Sequence, residues 1–238
     1  MKDNRFIHRI DKEDVNRMPL AEFGGEVVVI CTQEALPEAL AYLNRQTCVG
    51  VDTETRPSFV HGQHYPTALV QIATEERCYL FQLKHIGFPE GLAQFFANPD
   101  ICKVGLAFRD DLRGLQRLRP FRPANCADIQ QMVLKYGILD LGLQKIFAII
   151  FGRKISKSQQ LTNWENAVLT PEQARYASTD AWATLLIYKE LQRTRQLTKR
   201  QYEALRRADI ERQIQHQQEV MAQKKEKESH EEDTPQKA

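Results

Sequence analysis

The sequence predicts a mixed α/β protein, a sheet covered by helices, with a helical extension at its C-terminal end. Three observations carry that expectation. Short runs rich in β-branched residues crowd the first half, the chain from Ile129 onward reads almost wholly as helix, and helix and strand patterns alternate between them. The 238 residues suffice for one sizeable domain plus a short extension, and 42% hydrophobic with 27% charged residues is an ordinary globular composition. A domain of this size buries a full core without disulfide or metal staples.

Residues 1–22 are charged and aperiodic, which predicts an irregular arm ending in a turn at Gly24-Gly25. Glu26-Val27-Val28-Val29-Ile30 is a β-branched strand run. Thr32 is a plausible N-cap for a helix through Asn44, with Leu36, Leu40 and Leu43 at helical spacing. Cys48-Val49-Gly50-Val51 runs as a strand straight into Asp52-Thr53-Glu54-Thr55. After a loop holding Gly62 and Pro66, the runs 68–73 and 77–81 flank the polar turn Thr74-Glu75-Glu76 and predict a hairpin. A helix over about 90–97, a strand at 101–106, a helix opened by Arg109-Asp110-Asp111 and a short strand near Asn125-Cys126-Ala127 follow. Thr170-Pro171-Glu172 carries a helix-start signal, Pro at the first helical position. Apolar residues among many charges predict a further helix over 198–221, whereas 222–238 has no large apolar residue and reads as disordered. The expected organisation is an arm (1–25), a main domain (26–191), a helical extension (192–221) and a tail (222–238) that could recruit a protein partner.

Several classes are disfavoured. A formal net charge of +2 argues against a polyanion binder working by bulk charge, though local basic patches fit within it. The five cysteines are odd in number and lack a C-x-x-C pair, which predicts reduced, mostly buried thiols and no structural zinc. The polar N-terminus shows no signal peptide, and no apolar run approaches the roughly 18 residues of a membrane span. A cytoplasmic protein without membrane contact is expected.

The chemistry lies in carboxylates. Strand side chains alternate, so Asp52 and Glu54 emerge side by side at the end of an apolar strand, a repulsive arrangement unless a cation or proton sits between them. Taken alone, such a pair also fits a solvated strand end. Asp110 and Asp111 lie just past the next strand, where one acid caps the helix and the other is left over. Tyr176 and Asp180, four residues apart, share a helical face. Together, carboxylates from a strand end, a helix start and a later helix form a hard oxygen cage suited to Mg²⁺ or Mn²⁺. Two such ions about 3.5–4 Å apart can activate a water and stabilise a leaving oxygen in phosphodiester displacement, with a phenol orienting the water.

With these motifs in order, the chain resembles the DEDDy 3′→5′ exonucleases, the group of ribonuclease D and the exonuclease domain of Werner syndrome helicase. Val49-Gly50-Val51-Asp52-Thr53-Glu54 matches the first motif, Val104-Gly105 followed by Asp111 the second, and Tyr176-Ala177-x-x-Asp180-Ala181 the third. Ala68-Leu69-Val70-Gln71-Ile72 and Leu161-Thr162-Asn163-Trp164 look like the intervening signatures, and the likeness covers about 26–191. The resemblance implies an RNase H-like fold, two divalent cations and release of nucleoside monophosphates from a nucleic-acid 3′ end. It implies Asp52, Glu54, Asp111 and Asp180 as metal ligands and Tyr176 as the water-orienting group; counting from Gly105 favours Asp111 over Asp110. Too few residues follow 191 for a second helical module, so the Werner-like exonuclease is the nearer comparison and DNA is favoured over RNA. A catalytically silent nucleic-acid-binding or scaffold domain is the alternative, to be recognised by a degenerate site, and none of the five positions is lost.

Candidate substrate contacts surround the motifs. Thr53 lies between the first two carboxylates, and Arg109 and Arg113 flank Asp111 within a cluster that includes Arg117, Arg119 and Arg122. Lys154 and Lys157 precede the Trp164 signature, and Lys157 is taken as the substrate contact; Trp164 is expected to pack its loop on the core. His61, His64, Phe59 and Tyr65 sit in the loop after the first motif, where the aromatics could stack bases.

Overall fold

The structure, a computed structural model, describes residues 1–232 apart from 3, 5 and 61, and gives the backbone alone at 216, 219, 220 and 222–232. The elements in chain order are α1 (Lys12–Arg17), β1 (Glu26–Ile30), α2 (Leu36–Leu43), β2 (Cys48–Thr55), β3 (Thr67–Ala73), β4 (Arg77–Gln82) and α3 (Leu83–Ile86). They continue with α4 (Glu90–Ala97), β5 (Cys102–Gly105), α5 (Phe108–Leu118), β6 (Cys126–Asp128), α6 (Ile129–Val133), α7 (Leu143–Phe151), α8 (Pro171–Arg193) and α9 (Lys199–Glu232). No described helix is long and apolar enough to cross a membrane. Met1–Arg195 forms one compact unit and the chain from Gln196 a second.

The six strands form one sheet in the order β1-β4-β3-β2-β5-β6. The predicted hairpin pairs β3 with β4 antiparallel, β2 is antiparallel to β3, and β2–β5 and β5–β6 are parallel. Every residue of β3 is buried, as expected of a strand covered on both faces. On one face Val49, Val51, Val70 and Ile72 pack with Leu43, Phe95, Phe96, Phe108 and Leu115 from α2, α4 and α5. On the other, Leu69, Ala73 and Leu80 pack with Tyr176, Ala177 and Ala181 of α8.

The approach of α8 to β2 is set by one glycine. A Cβ at Gly50 would overlap the Ala181 carbonyl oxygen and crowd Thr184 Oγ1 at 2.8 Å, so only glycine admits the helix at this distance. The start of α8 is fixed as its sequence signals: Thr170 Oγ1 accepts from the Gln173 backbone N–H and Gln173 Oε1 accepts from that of Thr170, a capping box with Pro171 just inside. Gln173 Nε2 also donates to Thr162 Oγ1 and the Asn163 carbonyl, tying the preceding loop to the helix.

Several expectations change. The arm is not irregular: it contains α1, Ile10 and Val15 pack against Ala148, and the Ile10 N–H donates to Asp140 at 2.8 Å. A six-residue helix leaves no periodicity to read. The second helix starts at Leu36, not after Thr32, because Pro37 is admitted in the first turn. Neither Asp110 nor Asp111 caps α5. Ala107, in the left-handed region at φ 53°, precedes that helix, and its N–H and that of Phe108 donate to Asp128 at 3.1 and 3.2 Å. All five thiols are free as expected, but only Cys78 is buried; Cys48 and Cys102 are half-buried and Cys31 and Cys126 exposed. Thr198 and Gln201 open α9 with reciprocal bonds, and the helix continues through 222–232, where disorder was expected. Gln, Lys and Glu favour helix even without an apolar face. The rest of the tail, 233–238, lies outside the described residues.

Candidate active site

Asp52 and Glu54 leave β2 on the face covered by α8, opposite Gln71 and Leu69 of β3, and the register shifts between Glu54 and Thr55. The close crossing at Gly50 brings Asp180 over the strand end, and Tyr176 follows one turn earlier on the same helix. One carboxylate oxygen each from Asp52, Glu54 and Asp180 lie within 4.8 Å of one another. Burial, then the mutual repulsion of these acids, holds the Asp52 carboxyl well above the usual range and raises Glu54 to about 8. Burial also lifts Asp180 to about 7, against the pull of a hydrogen bond from Tyr176 and the charge of Lys157. Three acids kept this close, one buried and two half-buried, are costly as carboxylates unless positive charge sits between them, so the donor set fits a hard divalent cation.

Tyr176 is buried, its ring 5.9 Å from that of Trp164, and Trp164 is itself almost wholly buried, as the loop-packing expectation has it. Burial and the neighbouring carboxylates push the phenol upward, so its proton stays in place and its hydroxyl donates to Asp180. Asp111 lies on the α5 side of β2. Its Oδ1 accepts a 2.5 Å hydrogen bond from Thr53 Oγ1, which works against the burial that raises the carboxyl to about 6. Asp111 stands outside the group of three, yet its charge is felt at both Asp52 and Glu54.

The three acids and Tyr176 open into a cleft of about 310 Å³, lined also by Thr53, Leu106, Leu143, Gln144, Ile155 and Lys157. That volume lies at the low end for small-ligand sites, roughly 300–1,000 Å³. Lys157 therefore stands where the sequence suggests. Arg109 and Arg113 do not: they line a separate hollow with Gln131 and Asp128, and Arg113 pairs with Asp110 at 3.3 Å. Arg117 is the member of that cluster which reaches a groove shared with Thr53 and Asp111. The reason is helical phase: Asp110, Gly114 and Arg117, at i, i+4 and i+7, line that groove, whereas Arg109, Leu112, Arg113 and Gln116 share the face lining the other hollow. Tyr65 is half-buried beneath Arg56, whereas Phe59 is 83% exposed; His64 lines the groove and His61 lies outside the described residues. Leu143, Gln144 and Ile155 escaped sequence reasoning because nothing local marks them, and the Asp128 cap because it lies 20 and 21 residues from its partners.

Comparison with known proteins gives the family. A family model described as "3'-5' exonuclease" matches residues 27–196. The chain is 30% identical over 191 residues to the mouse "Bifunctional 3'-5' exonuclease/ATP-dependent helicase WRN", covering 74% of this chain and 13% of that protein. It is 29% identical over 185 residues to the human "Exonuclease mut-7 homolog", covering 63% of this chain and 20% of the other. The chain thus spans well under half the length of these curated relatives. Among solved structures, the Nibbler EXO domain of Aedes aegypti superposes with a TM-score of 0.64 at 23% identity, covering 71% of this chain and 88% of that one. RNase D of Escherichia coli gives 0.64 at 23%, covering 70% and 44%. The likeness shows the RNase H-like exonuclease fold, and with a family model spanning most of its length this chain belongs to the 3′–5′ exonuclease family.

Proposed function

We propose that the protein hydrolyses phosphodiester bonds at nucleic-acid 3′ ends, one nucleotide at a time, releasing nucleoside 5′-monophosphates with Mg²⁺ or Mn²⁺. The single observation that carries this reading is the meeting of Asp52, Glu54 and Asp180 within 4.8 Å, beside a buried phenol, in a chain of this family. Those three residues and Asp111 would hold two ions. When bound, the ions supply an activated water and stabilise the leaving oxygen.

The chain's own residues do the rest. Asp180 is buried and Asp52 and Glu54 half-buried, which strengthens the charge interactions among them. The Tyr176 hydroxyl, protonated and anchored on Asp180, is set to hold the attacking water by a hydrogen bond. Thr53 holds Asp111 in one orientation. Lys157 is the cation of the cleft and is placed to bind a phosphate oxygen of the substrate.

DNA ends come before RNA in this reading, following the resemblance of the motifs to the Werner-type exonuclease. The E. coli relative described as an exoribonuclease, at 23%, supports the fold alone. The test is digestion of 3′- and 5′-labelled DNA and RNA oligonucleotides with Mn²⁺ or EDTA, beside Asp52→Ala. Stepwise shortening from the 3′ end that requires metal and Asp52 is expected. Activity in EDTA, or full activity in the variant, would overturn the mechanism, and faster digestion of RNA would overturn the substrate order.

A further inference from the structure

Cys48 opens β2 and Cys102 opens β5, and the two are direct partners in the parallel register of those strands. The Cys102 N–H donates to the Thr47 carbonyl at 2.9 Å, which pins the two strand starts together. Neighbouring strands lie roughly 4.7–4.9 Å apart and opposed residues share a face, so the two Cα atoms stand within the roughly 4.4–6.8 Å that a disulfide needs. Both side chains are half-buried and belong to one apolar cluster with Ile187, Tyr188 and Leu191 of α8. A hydrogen bond from the Cys48 thiol brings Cys102 down to about 6, against burial and with help from the Tyr188 hydroxyl and the Lys103 charge. The same bond, together with burial, pushes Cys48 up, against the charge of Lys189. At neutral pH Cys102 is therefore the thiolate of the pair and Cys48 the thiol beside it.

We propose that Cys48 and Cys102 are a site of reversible oxidation by hydrogen peroxide, which closes them into a disulfide between β2 and β5. Cys102 is the attacking group and Cys48 the resolving one. The Cys102 thiolate attacks one peroxide oxygen; the O–O bond breaks, the sulfur gives up two electrons and becomes a sulfenic acid, and the second oxygen leaves as hydroxide. The Cys48 sulfur then attacks that of Cys102; the S–O bond breaks, and the departing hydroxide takes the Cys48 proton as water. With the proton that Cys102 had released, the first hydroxide also becomes water, so two thiols and one peroxide give one disulfide and two waters. No other cysteine fits either role. Cys126 lies opposite Lys103 and so on the other face of the sheet from Cys102. Cys78 is fully buried on β4, where burial pushes its thiol up, and Cys31 follows β1 at the far edge of the sheet. The bond would tie β2, the strand that carries Asp52 and Glu54, to its neighbour at the point where both begin.

The test treats the reduced full chain with hydrogen peroxide, alkylates the remaining thiols and maps the peptides by mass spectrometry. A Cys48–Cys102 cross-linked peptide lacking two hydrogens is expected, in protein that runs as a monomer on a non-reducing gel, and dithiothreitol should release it. Before oxidation, iodoacetamide at neutral pH should label Cys102 on the order of ten-fold faster than Cys48. Cys48→Ser should stop at the sulfenic acid on Cys102, captured by dimedone, and Cys102→Ser should give neither adduct nor cross-link at Cys48. Cross-links through Cys31, Cys78 or Cys126 in place of this one, a dimedone adduct on Cys48 rather than Cys102, or both thiols still open to alkylation after peroxide would overturn the proposal. The cross-link map uses the wild type alone, so it decides even where a variant fails to fold, and none of these readings depends on nuclease activity.

Discussion

Removing a carboxylate from the acidic site should make the metal-free protein more stable, the reverse of the usual effect of altering a buried residue. In Asp180→Asn the amide keeps an acceptor for Tyr176 and loses the charge. At the 4.8 Å outer limit of the group, one pair of like charges repels by about 3.5 kcal/mol at an effective dielectric near 20. The sign follows from the titrations. Glu54 and Asp180 are raised to about 8 and about 7, so their contribution to stability is full below about pH 4 and lost as pH climbs through 7 and 8. At pH 8.5 in EDTA the variant should therefore gain about 3 kcal/mol, or roughly 6–12 °C in melting temperature for a unit the size of Met1–Arg195. At pH 4 the acids of the wild type are protonated and the difference should vanish. Mn²⁺ should close most of that gap at a hundred times its Kd, where it adds about 2.7 kcal/mol to the protein that binds it, and reverse the order at a thousand times, where it adds about 4.1. Differential scanning fluorimetry across pH, with and without metal, reads all three. A variant less stable than wild type at pH 8.5 in EDTA, or a difference independent of pH, would refute the reasoning.

Three further outcomes are expected. Gly50→Ala forces α8 off β2 and should cost about 1–3 kcal/mol in urea denaturation while lowering Mn²⁺ affinity, because Asp180 moves with the helix; unchanged metal affinity would count against the glycine's role. Asp128→Ala frees the N–H groups of Ala107, Phe108 and Gln130 together and should cost about 2 kcal/mol, with amide exchange fastest at the starts of α5 and α6. Tyr176→Phe should lower kcat about a hundred-fold with KM little changed, as expected of a hydrogen bond needed in the reaction; an equal rise in KM would make the residue a binding group instead.

The residues of the site were legible in the sequence because each sits on a locally signalled element. Glu26-Val27-Val28-Val29-Ile30 and the hairpin runs read as strands by composition, Thr170-Pro171 marks the start of α8, and i, i+2 and i, i+4 spacing put Asp52 with Glu54 and Tyr176 with Asp180. These signals depend on neighbours within a few residues of each other. The arm and the arginines were misread where that range ended. Ile10 is fixed by Asp140, 130 residues away, and whether Arg109, Arg113 or Arg117 turns toward Asp111 depends on how α5 lies on the sheet.

The sequence by itself determined the end of β2, the start of α8 and the acids those elements carry. Only the tertiary structure decided that Asp52, Glu54 and Asp180 share one face while Asp111 bonds Thr53 on the other side of the strand. Tertiary packing likewise made the cap of α5 Asp128 rather than its own acids. The physical reason is that backbone periodicity is local, whereas the distance between two carboxylates is set by how closely a helix can cross a strand, which here is fixed at Gly50.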